Sequence, residues 1–173
     1  MTDQRTYKIK KAFIIAFSAD VILLSLLLLL SVFFRGSAGE RIVIAVITVP
    51  AFLFLLEAAS RKILSGNQGI MIRKFFRERE LLWDDITHVG AVILRKRVYL
   101  LLTTLKGVYI LSNAYGDFHG FLRGITNHIN KEKIDEDILK LVESPINKIS
   151  DIVSAWFGAA ILVAIIILKL ITH

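Results

Sequence analysis

The chain has 173 residues, 55% of them hydrophobic, with a formal net charge of +7 and no cysteine. The last fact excludes a disulfide framework, a thiolate nucleophile and a cysteine metal site. The apolar residues gather into three blocks separated by charged stretches, which is a membrane pattern, and the surplus of cations flanks those blocks, where anionic lipid headgroups account for it without invoking nucleic acid.

Residues 1–11 read as a basic N-terminal flank, with Arg5, Lys8, Lys10 and Lys11. The first apolar block, 12–34, has the sequence AFIIAFSADVILLSLLLLLSVFF. As a helix it is long enough to cross a hydrocarbon core of about 30 Å. Its length and its Phe33-Phe34-Arg35 ending favour a retained helix over a signal peptide. A short link, Arg35–Arg41, leads to the second block, 42–60, which contains Pro50. Proline is tolerated in a membrane helix when neighbours satisfy the freed carbonyl. Residues 12–62 are therefore predicted to form an antiparallel transmembrane hairpin. The third block, Ile152–Leu168, extends to Ile171 if Lys169 snorkels, and Trp156 suits an interface. Residues 151–173 are predicted to be a third transmembrane helix.

The Lys/Arg bias predicts the N-terminus and the middle domain inside and the hairpin loop outside. The expectation is a multi-pass protein of the inner (cytoplasmic) cell membrane with a cytoplasmic middle domain. A cysteine at Ser37 would then react from outside and one at Asn113 would not.

Between the second and third blocks, residues 63–150, the pattern changes. Segments 69–76, 80–83, 87–94, 98–105 and 108–111 read as strands, punctuated by the charged Arg77–Arg79 and Arg95–Arg97 and by Lys106-Gly107. Phe118, Leu122, Ile125 and Ile129 then recur at helical spacing behind Asp117, a candidate N-cap. A shorter helix is predicted over 134–142, closed by Pro145. The segment reads as an α+β domain: an antiparallel sheet of about five strands with one face covered by a helix.

Several of these stretches resemble the bacterial pleckstrin-homology-like (PH-like) domains of small membrane proteins. They are GIMIRKFF, RERE and LLWDDITHV within 69–89, YLLLTTLKGVYILS at 99–112, and DFHGFLRGI at 117–125. The resemblance covers residues 65–130. It implies a fold of about seven strands closed by a C-terminal helix, and a preceding membrane hairpin is frequent in such proteins. The fold class expected overall is three transmembrane helices with a small PH-like α+β domain.

Two carboxylates lie in the apolar blocks. Asp20 falls roughly 12 Å into the hydrocarbon at 1.5 Å per residue, where a charge is costly and normally finds a protein partner or is neutral. It reads as a contact to another subunit or as a neutral group bonded to Ser18, Ser25 or a carbonyl; a proton relay is the third reading. Glu57 is near the end of its helix, within reach of Arg61 or Lys11. Asp84, Asp85 and His88 are local neighbours without a metal-site pattern, and His119 and His128 do not share a helix face. No nucleophile–base spacing or phosphate loop is present, so no enzyme, cofactor or metal is expected. Arg73, Lys74, Arg77 and Arg79 cluster at one turn and Arg95, Lys96 and Arg97 at another. These seven form a candidate surface for anionic lipid or an acidic partner, each cation contributing on the order of 1 kcal/mol near an anionic surface. The leading expectation is a non-enzymatic membrane-anchored scaffold or accessory subunit, docking other membrane-protein subunits or copies of itself. Anionic-lipid sensing is the second reading, and a small transporter or enzyme subunit the third.

Overall fold

The computed structural model describes residues 4–144 and 149–172. The described residues form seven strands and five α-helices. They divide into two compact units: the three long apolar helices, and a mixed unit built from the N-terminal strand and the middle of the chain.

The helical unit contains α1 (Lys11–Phe33), α2 (Ala38–Ser60) and α5 (Ser150–Thr172). All three are long and apolar enough to cross a membrane. Helix α1 packs most closely on α5, not on its sequence neighbour α2. The reason is side-chain size. Ala16 of α1 and Ala155 and Ala159 of α5 are buried, and Gly158 faces Asp20, so the two backbones can approach as small residues allow. Helix α2 meets α1 through larger groups, with Phe54 edge-on to Phe17 and Ile44 in a cluster with Leu27 and Ile166. Pro50 is carried inside α2, whose Thr48 hydroxyl donates to the Ile44 carbonyl at 2.7 Å. At one end of the unit Glu40 of α2 accepts from the fully buried Ser31 of α1 and pairs with Lys169 of α5. Lys169 therefore holds a carboxylate as well as lying at the end of the third apolar block.

The mixed unit holds two antiparallel sheets rather than one. In the first, β1 (Arg5–Lys8), β2 (Lys62–Ser65), β3 (Gly69–Lys74) and β4 (Arg77–Leu82) lie in sequence order. In the second, β5 (Ile86–Leu94), β6 (Arg97–Thr104) and β7 (Gly107–Ser112) follow the same rule. The break falls at Trp83–Asp85, where the Asp85 and Ile86 amides donate to the Leu82 and Trp83 carbonyls and turn the chain. Trp83 and Ile86 on either side of that turn enter the core.

Three expectations need correction. Residues 5–8 are not merely a flank but β1, paired with β2 from Arg5↔Ser65 to Lys8↔Lys62. The hairpin of α1 and α2 is thus inserted between two paired strands. The RERE run is strand rather than turn: its alternation of sign has the period of a strand and puts Arg73 opposite Glu78. The turn is one step earlier, at Phe75-Phe76.

Helix α3 (Phe118–His128) fills the opening between the sheets with Phe121, Leu122 and Ile125, and Tyr7 of β1 packs edge-on to Phe121 at 5.1 Å between ring centroids. The expected cap is present: Asp117 accepts from the Gly120 amide. Helix α4 (Glu136–Glu143) adds Ile138 and Leu141 to the same core. Pro145 lies outside the described residues.

A candidate docking groove

The β3–β4 hairpin sorts its charges by strand alternation. Ile70, Ile72 and Leu81 point into the core, and Lys74, Arg77 and Arg79 continue that inward face beyond its edge. Arg73 points the other way and pairs with Glu78 across the strands, both side chains being about half exposed. A pair so exposed contributes less than about 1 kcal/mol.

Lys74, Arg77 and Arg79 line one side of a groove whose opposite side is β7, from Val108 to Leu111. The floor includes Ile72. Strand β7 pairs with β6 along one side. Its other side borders the groove, and Val108 and Ile110 are 56% and 59% exposed. The other edge of that sheet is covered only over its first half, Ile86 to Val89. Val89 of β5 bridges to Ile134, the Asp135 amide donates to the Val89 carbonyl, and Lys133 donates to the Ile86 carbonyl. Beyond β7, residues 114–116 bond to Lys8 and Lys10.

Arg95, Lys96 and Arg97 stand on the separate β5–β6 hairpin and do not line the groove. Arg95 has a positive φ of 57°, suited to a tight two-residue turn. The Lys96 carbonyl accepts from Asn113 Nδ2 at 3.1 Å. Asn113 is only 2% exposed, so it ties the turn down from inside and is unsuitable as a labelling position.

The remaining candidates are placed as follows. Asp20 lies against Gly158, and its Oδ1 is buried with no hydrogen-bond partner among the described residues. Ser25 does not serve it, since that hydroxyl donates to Val21. Glu57 is half-buried on α2. His88 pairs with Asp135 at 3.2 Å rather than joining Asp84 and Asp85, which sit in the turn after β4. His119 meets the Val142 carbonyl and His128 stacks on Trp83. No group of three or more His, Asp or Glu that could hold a metal occurs among the described residues.

Sequence reasoning missed β7 as a groove wall and Phe75-Phe76 as an exposed turn. The second carried no turn signal, since glycine, proline, asparagine and aspartate are the usual turn formers and a pair of phenylalanines is not. No protein-family model, curated protein or solved structure matches this chain.

Proposed function

We propose that the chain is a non-enzymatic, membrane-anchored docking subunit, with the mixed unit a PH-like domain on the cytoplasmic side of the inner membrane. The reading is supported by two antiparallel sheets with α3 against their common core, although β1 lies before the hairpin and outside the residues 65–130 that carry the resemblance. The observation that carries the function is the groove. A strand edge that is unpaired among the described residues, with two exposed aliphatic side chains, faces three cations. That combination suits an extended acidic segment of a partner protein, which would add to β7 by main-chain hydrogen bonds while its carboxylates meet Lys74, Arg77 and Arg79.

A photo-crosslinking residue at Val108 of the full chain, in native membranes, is expected to capture a discrete partner. Arg77→Glu with Arg79→Glu should abolish that adduct. A Val108 adduct that survives the double reversal, or labelling no stronger than from the exposed Thr87 on β5, would count against the groove. The orientation is tested separately in this cysteine-free chain. A cysteine at Ser37 should react with an impermeant maleimide in intact cells, whereas one at Leu105, 91% exposed, should react only after permeabilisation. Reaction of Leu105 in intact cells would reverse the assignment.

A further inference from the structure

The β3–β4 hairpin ends in an apolar knob. Phe76 is 87% exposed and Phe75 47%, and their rings meet edge-on with centroids 4.3 Å apart. Neither ring lines the docking groove. Single exposed apolar residues are ordinary on protein surfaces, but two adjacent aromatics at the tip of a turn are not. They oppose both turn chemistry and solubility, and such local contradictions mark functional positions.

The flanks of the knob are cationic. Lys74 and Arg77 are a cross-strand pair immediately behind it, and both are exposed. An aromatic tip on a cationic collar matches the layering of a bilayer interface, in which anionic phosphates overlie the start of the acyl region.

Strand register adds an independent observation. Lys8 pairs with Lys62, Lys62 with Arg73 and Arg73 with Glu78, so these residues form one row across the sheet. The knob projects just beyond that row. At the same end of the sheet the chain leaves β1 for α1, which begins at Lys11, and returns from α2, which ends at Ser60. Lys8 and Arg73 are two strand spacings apart, about 10 Å. The hairpin tip thus lies at the end of the sheet where β1 ends and β2 begins.

We propose that the β3–β4 hairpin is a bilayer-interface anchor, with Phe75 and Phe76 entering the headgroup–acyl boundary of an anionic membrane and Lys74 and Arg77 bound to lipid phosphates. The anchor fixes the orientation of the domain on the membrane; Lys74 and Arg77 also line the groove, so lipid phosphates and an acidic partner compete for them.

The test uses the full chain reconstituted in vesicles, with an environment-sensitive nitrobenzoxadiazole label on Phe76→Cys and, in a second sample, on Leu105→Cys in the β6–β7 turn. Vesicles contain phosphatidylcholine alone or with roughly a third phosphatidylglycerol, and carry a shallow spin-labelled lipid as quencher. The label at position 76 is expected to be blue-shifted and quenched in anionic vesicles, and the label at position 105 is not. Lys74→Glu with Arg77→Glu should lower quenching at position 76 about tenfold, as should omission of the anionic lipid. Raising the salt should weaken it, because the Debye length falls from about 10 Å at 0.1 M to about 3 Å at 1 M. Equal quenching at 76 and 105 would overturn the anchor, as would quenching at 76 indifferent to lipid charge and to the double reversal. A label at 76 that is shielded by a protein and not by lipid would overturn it in favour of a protein contact.

Discussion

Tyr7→Ala is expected to destabilise the mixed unit by about 3–5 kcal/mol, the range for truncating a buried aromatic. That is a large part of the roughly 5–15 kcal/mol that holds a domain of ordinary stability together. Tyr7 is 4% exposed and packs against Phe121, which is 1% exposed, at the point where β1 meets α3. The loss should register in a urea titration of the full chain in detergent, followed by Trp83 emission in a Trp156→Phe background. Tyr7→Phe keeps the ring and should cost far less. The two variants should also differ at high pH. Burial raises the Tyr7 hydroxyl above its ordinary value of 10.0, against smaller lowering effects of the Arg5 hydrogen bond and charge. The unfolded chain then loses its proton first as pH rises through about 10, while the folded chain still holds it. The stability linked to this group is fully present below pH 10 and is lost between the unfolded value and the raised folded one. Tyr7→Phe should remove that part of the alkaline decline. If Tyr7→Ala leaves the urea midpoint unchanged, the N-terminal strand is not part of the domain.

Gly158→Leu should have the largest effect in the helical unit. A Cβ at position 158 would lie 3.4 Å from Asp20 Oδ1 and 3.6 Å from Oδ2. An alanine there asks the carboxylate to give by little. A leucine needs room for three further carbons where the Asp20 carboxyl stands, so α1 and α5 must move apart. Overpacking of this kind typically costs about 1–3 kcal/mol, and separation would also loosen the small-residue contact at Ala16, Ala155 and Ala159. The measurement is the midpoint of a dodecyl sulfate titration in mixed micelles. Asp20→Ala in the Gly158→Leu background should recover part of the loss, because residues in contact are energetically coupled. Additive effects of the two changes would mean that the Asp20–Gly158 approach is not the cause.

The three apolar helices were legible in the sequence because their signal is local. A run of about twenty apolar residues forms a helix in hydrocarbon whatever lies elsewhere, since the backbone must satisfy its own hydrogen bonds. The helix beginning after Asp117 was legible for a related reason: its 3.6-residue period is contained within eleven residues and its cap is the residue before them. Most middle strands are legible too, but the charge of Arg77–Arg79 reads as a turn and hides the strand period of the Arg/Glu alternation.

Pairing across distance was decided only by the tertiary structure. Four residues, Arg5–Lys8, become a strand because Lys62–Ser65, more than fifty positions later, offers them an edge and Phe121 offers Tyr7 a surface. Neither short segment carries enough periodicity to declare itself, and β-propensity depends on such neighbours. The division of the basic residues followed the same logic. Seven cations in two runs looked like one surface in sequence, but strand alternation turned Arg73 toward Glu78 and sent Lys74, Arg77 and Arg79 to the groove. Composition set how much charge and apolar length the chain carries. Which face each side chain meets was set by register, a property of two strands together that neither possesses alone.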